Sequence, residues 1–574
     1  MQAQKTKKLK TMLQIRCKNN NVTKSFPEGS SLLDVYQEFA DDIHLPFPVV
    51  SAKVNNVSQG LKFRLYQNRD VEFLDARAGS GHRVYVRSLS FVLYKATQDL
   101  FPGSKLFIEH SLSRGYYCNF KKRPNSNLSQ GEGNLVNDDD VERIKARMQE
   151  IVDLDMPFRR NEATTEEAIR VFAERGFSDK VKLLESSGQI YSDYYMLGDT
   201  ADYYYGPLVP SAGYLKVWDL QRYQDGMLLR VPDWNDPSRV AEYVDMPKTF
   251  GMFAEKTRWD IIMRLSNAGD VNKAILKGHA SELIQVSEAL QEKKIVQIAE
   301  AIAQKMPKLV LITGPSSSGK TTFCKRLSIQ LLACGLRPMS FSTDDYFVNR
   351  VDTPKLPNGD YDFDNIEAVD YKLLEEHLSR LMQGETVEVP EYNFTTGKRE
   401  YNGKRLKLQR DTVLIIEGIH ALNPLLTKGI AEDAKYKIYI SALTSISLDD
   451  HNWIPVRDNR LLRRIIRDYN KGAFSARETI AQWNNVCEAE DKWIFPFQET
   501  ADVMFNSALN IEFAVLRPHA EIILSSIPKN CPEYSEAHRL LKFIHFFLPV
   551  SDKEIPPTSI MREFVGGSSF KYDR

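Results

Sequence analysis

Gly314-Pro315-Ser316-Ser317-Ser318-Gly319-Lys320-Thr321 decides the reading of this chain. It fits GxxxxGK[ST] and stands between Leu309–Ile312, an apolar run of strand character, and Thr321–Leu332, which reads as a helix with Gly335 near its end. A phosphate-binding loop requires that order. Glycines let backbone N–H groups turn inward around phosphate oxygens, and the helix N-terminus adds its partial positive charge. Gly314, Ser316, Ser317, Ser318 and Gly319 would form the cradle, with Thr322 just beyond them. Lys320 is expected to reach the β- and γ-phosphates, and the Thr321 hydroxyl to ligate Mg²⁺. The competing reading is a Gly/Ser-rich turn with an incidental lysine.

The surroundings say what the triphosphate is used for. A switch GTPase would carry DxxG and NKxD elements, and neither occurs in the expected order. Instead, Phe341-Ser-Thr-Asp344-Asp345-Tyr-Phe347 follows a second strand-like run. An acid at the C-terminal end of a strand beside the loop can take a proton from an attacking hydroxyl, which singles out Asp344, with Asp345 next to it. Thr412–Ile416 is another strand run and ends in Glu417-Gly418, from which an acid can hold Mg²⁺ through water. Against these stand a solvent-exposed turn for the aspartates and a strand-end cap for Glu417.

Arg457, Arg460, Arg463, Arg464 and Arg467 fall within roughly a 120° arc of one helix, while Leu461, Leu462, Ile465 and Ile466 take the other side. Such a run of like charge needs compensation. Phosphates facing a lid would supply it, as would a salt-bridged partner surface. His420 borders the same region, and His110 stands alone; a lone histidine is more often packed than catalytic.

The chain has 574 residues, 42 % hydrophobic and 26 % charged, which suggests three or four globular domains. Its 76 basic and 76 acidic residues balance, so no global field favours nucleic acid or anionic lipid. Six scattered cysteines read as reduced thiols. No run approaches the roughly 18 apolar residues of a membrane span, and MQAQKTKKLK lacks the apolar core of a signal peptide. The expectation is a cytoplasmic protein with no membrane contact.

The division is multidomain, α/β and α+β. Residues 1–11 form a basic tail. Residues 12–78 read as a β-grasp unit with strands at Met12–Cys17, Val22–Phe26, Val49–Val54 and Val71–Leu74, and Ser31 and Asp34 have capping-box spacing ahead of a helix. Residues 79–252 carry helices over Asp138–Asp153 and Thr165–Glu174 and an aromatic loop, Tyr203–Tyr214. A helical connector (253–306), an alternating α/β region with a parallel sheet (307–510) and a C-terminal extension (511–574) follow.

At this point the motifs resemble a known family. The phosphate loop, SxDDYF, Tyr361–Asp364, Val389–Phe394, strand-Glu417-Gly418 and Asp458–Asp468 stand in the order of the uridine kinase branch of the phosphoribulokinase/uridine kinase family. The resemblance implies ATP and Mg²⁺ as cofactors and phosphoryl transfer to the 5′-hydroxyl of a ribonucleoside. It implies Asp344 as base, Asp364 as ligand of the ribose hydroxyls, and Tyr392 and Phe347, with Phe394, as walls of a nucleobase pocket. Arg460 would contact the nucleoside, Arg463 would act in the phosphate-binding lid, and Arg464 would bind the nucleotide. Two departures bear on specificity. The family's base-contacting histidine falls at Gly397, and its Arg-Gly-Arg stretch is here Lys471-Gly472-Ala473.

The N-terminal half resembles the TGS and editing domains of threonyl-tRNA synthetases, through the β-grasp unit, Arg87–Pro102 and Asp202–Pro210. The four positions on which editing chemistry depends are here Phe91, Lys95, Tyr204 and Leu208, none of which forms that acid–base and metal set. The resemblance therefore implies a scaffold without editing activity.

Two other functions compete with a nucleoside kinase: a tRNA- or ribosome-associated regulatory protein that uses ATP as a switch, and a kinase of another small hydroxyl substrate. A homo-oligomer is expected. The C-terminal extension is either a disordered tail or a docked segment. In the docked case the apolar run Leu541–Val550 would anchor it and hold Arg562 and Gly566-Gly567 near the kinase cleft or the N-terminal half.

Overall fold

Leu309–Thr313 is buried along its whole length, as is Thr412–Ile416. Runs so uniformly apolar suit the middle of a parallel sheet covered on both faces. They lie there in a computed structural model that describes residues 11–122, 135–444 and 446–572. The strands are β1 (Leu309–Thr313), β2 (Arg337–Ser342), β3 (Thr412–Glu417), β4 (Lys435–Ser441) and β5 (Val503–Asn506), in the order β2-β3-β1-β4-β5 with every pair parallel. Register sets Glu417 beside both Ile312 and Ser342, so the C-terminal ends of the three strands stop level. The phosphate loop, the Asp344 turn and Glu417 thus share one edge of the sheet.

Alternation along the strands divides two cores. Leu309, Leu311, Phe341, Leu414 and Ile416 face one side with Tyr346, Phe347 and Tyr392. Val310, Ile312, Val413 and Ile415 face the other, against α1 (Lys320–Ala333) and the helix Ala280–Lys305. Three further helices close the C-terminal half: α2 (Val456–Asn470), α3 (Ala476–Trp493) and α4 (Glu512–Ser525).

In the N-terminal half, strands Met12–Cys17, Val22–Pro27, Ser51–Val54, Val57–Gln59 and Arg69–Leu74 form one sheet, and only Met12–Cys17 with Arg69–Leu74 is parallel. Ser31 and Asp34 form a reciprocal capping box at the helix Leu32–Phe39. The helices expected over Asp138–Asp153 and Thr165–Glu174 run over those residues, capped by Asn137 and Thr164. The 22-residue helix Gly79–Leu100 lies almost wholly inside, with four antiparallel strands beyond it. Among the described residues no helix is long and apolar enough to cross a membrane.

The two halves share a core. Phe172, Leu183, Tyr203 and Tyr205 pack in one cluster with Ile446, Leu448, Leu461 and Phe546. Trp453 enters a second cluster with Phe91, Tyr204 and Leu208. Between these lies a wholly buried set of charges. Lys180 Nζ is 2.8 Å from Asp202 and 3.2 Å from Asp449, and His451 Nδ1 is 2.8 Å from Asp202. Pairing is what makes such burial tolerable.

The C-terminal extension is packed. Its anchor is the helix Tyr534–Ile544, with Phe543, Ile544, Phe546 and Phe547 in the shared core. Beyond it Ile555, Ile560, Met561, Phe564 and Val565 are buried as well.

Candidate active site

The loop after β1 has little steric freedom. A Cβ at Gly314 would collide with the Ile440 carbonyl of β4, and Gly319 has φ +85°, the left-handed region that favours glycine. Gly319 also precedes α1, so the first-turn N–H groups of that helix point into the loop. Lys320 Nζ donates to the carbonyls of Gly314 (2.9 Å) and Pro315 (3.2 Å). Burial pushes the Lys320 ammonium below its ordinary pKa, against the opposing charges of Glu417, Asp344, Glu563 and Glu490. The Thr321 hydroxyl donates to Glu417 Oε1 at 3.3 Å.

Both are hard oxygen donors of the kind Mg²⁺ takes alongside phosphate oxygens. Among the described residues no group of three or more His, Cys, Asp or Glu side chains is set to hold a metal.

Asp344 and Asp345 sit in a 3₁₀ turn, Thr343–Tyr346, directly after β2. The two acids have different surroundings. Asp345 closes a capping box, accepting from the Ser342 N–H at 3.3 Å, whereas Asp344 gives its own N–H to Ser342 Oγ at 3.2 Å. Burial raises the Asp364 carboxyl to about 6, with Arg464 opposing the shift and Glu490, Asp362 and Asp344 adding to it. His420 is buried beside these acids, and burial lowers its imidazole to about 4.

The aromatic residues converge. Phe347 meets Tyr392 edge-on at 5.4 Å between centroids and Phe394 at 6.2 Å, and Tyr392 meets Phe394 at 5.0 Å. Phe394 is 44 % exposed, whereas Phe347 and Tyr392 are buried. Sequence reasoning missed Arg350. Its N–H donates to the Gly397 carbonyl (2.8 Å) and its guanidinium to the Phe394 carbonyl, and a Cβ at Gly397 would lie 2.9–3.0 Å from its side chain. Arg350 therefore fills the space beside Gly397.

The charges of the arginine helix, for which a phosphate-facing lid or a salt-bridged partner surface was the expectation, are compensated within the chain. Arg460 and Arg463 are 1 % and 0 % exposed. Arg460 forks onto Glu490 of α3, Arg463 onto Glu512 of α4, and Arg457 pairs with Asp491. Arg464 and Arg467 pair with Asp468. Intramolecular acids supply the compensation. From this position the helix braces the loop, because Arg460 donates to the Ser316 carbonyl (3.2 Å), Arg463 to the Ser317 carbonyl (3.3 Å) and Arg464 to Ser316 Oγ (3.1 Å). Glu490 in turn accepts from the Ser316 N–H at 3.0 Å.

In the N-terminal half Phe91, Tyr204 and Leu208 are core residues, and Lys95 is paired with Asp99 (2.6 Å) and Asp199 (2.7 Å). His110 is stacked on Phe253 at 3.5 Å, as a packed residue would be.

Comparison with known proteins finds two kinds of relative. Residues 309–512 match the Phosphoribulokinase / Uridine kinase family. A uridine kinase of Mycoplasma genitalium is 32 % identical over 178 residues, 31 % of this chain and 74 % of that protein. A threonine–tRNA ligase of Carboxydothermus hydrogenoformans is 30 % identical over 218 residues, 36 % of this chain. The chain spans only 31 % of that ligase's length. A solved structure from Bacillus stearothermophilus, described as a possible uridine kinase, aligns over 36 % of this chain and 97 % of its own at 19 % identity and TM-score 0.25.

Proposed function

The chain belongs to the phosphoribulokinase/uridine kinase family, and we propose that it transfers the γ-phosphate of ATP to the 5′-hydroxyl of a ribonucleoside. The observation that carries this reading is an acceptor side built next to the phosphate loop. Asp344 sits in the turn after β2, Asp364 lies close enough to feel its charge, and Phe347, Tyr392 and Phe394 pack ring to ring, a set that a pure nucleotide switch would not need.

In this reading the loop N–H groups and Lys320 hold the triphosphate, and Arg464 supports the loop through Ser316. Thr321 and Glu417 hold Mg²⁺, which when bound neutralises charge developing on the phosphates. Asp344 takes the proton of the attacking hydroxyl, and Asp364 accepts from the ribose hydroxyls. Phe347, Tyr392 and Phe394 line the base. Arg460 and Arg463 act through the loop they brace, as positioning residues.

A second reading, a kinase of another small hydroxyl compound, draws support from Arg350 beside Gly397, where a guanidinium offers donors that a flat base does not require. We assign the N-terminal half to TGS-like and editing-like units that serve as a scaffold, with tRNA or ribosome contact as its proposed partner chemistry. Steady-state turnover with Mg-ATP across a panel of nucleosides and sugar phosphates tests the proposal. Turnover of a ribonucleoside to its 5′-monophosphate supports it, and turnover confined to non-nucleoside acceptors sinks it.

A further inference from the structure

The segment after Pro557 ends on the phosphate loop itself. Ile560 fills the space over Gly319, where a Cβ would collide with it. Phe564, 1 % exposed, lies with its ring 4.8 Å from the Arg463 guanidinium, and its carbonyl accepts from Asn470 at 3.0 Å. Apolar burial on this scale holds the segment firmly. Between these anchors the Glu563 carboxylate reaches the first turn of α1. It accepts from the Thr322 hydroxyl at 2.7 Å and from the Thr322 N–H at 3.3 Å. The Tyr572 hydroxyl lies 2.9 Å from the same Thr322 oxygen.

The Thr322 N–H is one of the first-turn donors that a loop of this kind turns toward the α- and β-phosphates of a nucleotide. A carboxylate already occupies it, and two anions cannot share one N–H donor. Glu563 also faces the Lys320 ammonium, the other cationic element of the loop. Gly566 and Gly567, with φ +88° and +73°, carry backbone angles that favour glycine and make a natural hinge point just beyond the carboxylate. On one side of the hinge lie the buried Ile560, Met561, Phe564 and Val565, and on the other lie partly exposed residues up to Tyr572. The Glu563 side chain and the arm beyond the hinge can therefore leave while Phe564 stays seated.

We propose that residues 559–572 form an autoinhibitory strap, in which Glu563 competes with the phosphates of ATP for Thr322, so that nucleotide binding and departure of the Glu563 side chain and of the arm beyond Gly567 are one equilibrium. The inference rests on the nucleotide-site reading above. Its cost to ATP is reciprocal, since ATP must also expel Glu563.

Calorimetric titration of the full chain with Mg-ATP tests it, using wild type, Glu563→Gln, Tyr572→Phe and, as a control, Lys320→Ala. Glu563→Gln keeps the shape and removes the charge, and is expected to tighten ATP binding about tenfold or more, the scale of one charge-assisted hydrogen bond. Tyr572→Phe should tighten it less and serves if the first variant misfolds. Amide hydrogen exchange across 567–572, the arm beyond the seated Phe564, should rise when ATP is added to wild type. Unchanged or weaker ATP binding by Glu563→Gln overturns the strap, as does slower exchange of 567–572 with ATP, which would make the segment a wall that closes on the nucleotide. If neither wild type nor any variant binds ATP, the nucleotide-site reading falls first and the strap falls with it.

Discussion

Replacing Arg463 by Met separates bracing of the loop from phosphate chemistry. The guanidinium is fully buried and forks onto Glu512, whose side chain is 1 % exposed, with further bonds to Ser507 Oγ (3.0 Å), the Ser507 carbonyl (3.0 Å) and the Ser317 carbonyl (3.3 Å). Methionine approximates the volume but leaves Glu512 charged and unpaired inside the protein. Breaking one side of such a pair costs about 3–5 kcal/mol, much of it from the stranded partner. The double variant Arg463→Met/Glu512→Leu removes both charges and should recover about 2 kcal/mol or more of that loss. Urea unfolding followed by tryptophan fluorescence reads both, with Trp483 lying close to the same helix, 5.4 Å from Arg460. Two results would refute the reasoning. One is a single variant within about 1 kcal/mol of wild type that nonetheless loses turnover, which would make Arg463 a group acting on the phosphates. The other is a double variant no more stable than the single one.

Asp344→Asn should leave ATP binding near wild type and lower kcat about 10²-fold or more, the scale of a lost general base; near-normal turnover moves the role to Asp345. Lys320→Ala should weaken ATP binding itself, read by titration. Because burial raises Asp364 to about 6, kcat/KM for the acceptor should fall as pH drops through about 6, and Asp364→Asn should abolish that limb of the profile. The sign for stability is opposite. The neutral form of Asp364 is favoured in the fold, so its contribution is complete below 3.8 and is lost as pH rises to about 6, which titration of unfolding against pH checks. Incubation with Ser-tRNA(Thr) should give only spontaneous deacylation, since Phe91, Lys95, Tyr204 and Leu208 are packed or paired; saturable hydrolysis would reveal another residue set.

What was legible in the sequence was whatever local chemistry dictates. The phosphate loop needs its glycines and its flanking strand and helix in sequence, and α1 begins one residue before the expected Thr321. The capping box at Ser31 and the acids at the ends of β2 and β3 are equally local. The partners of the arginines are not. Periodicity says which face of α2 is charged, but not that Glu490 and Glu512, 30 and 49 residues further on, will cover it. The helix Gly79–Leu100 escaped for a related reason, since a helix buried nearly all round has no apolar stripe to betray its period. Arg350 was invisible because only the fold brings it to Gly397, and the strap because Glu563 meets Thr322 across 241 residues of chain.

The core shared between the halves bears on how such a chain can evolve. Its two parts resemble two different proteins, a threonine–tRNA ligase and a uridine kinase. A fresh fusion of two such modules would keep each interior closed and allow either to be exchanged. Here Trp453 is housed among Phe91, Tyr204 and Leu208, and Lys180 has Asp449 for a counter-charge. Losing the N-terminal module would strand that tryptophan and strip Asp449 of its cation, and substituting a foreign one would leave the same vacancies. A junction built this way ties the two halves together, and neither could be exchanged without repacking the core they share.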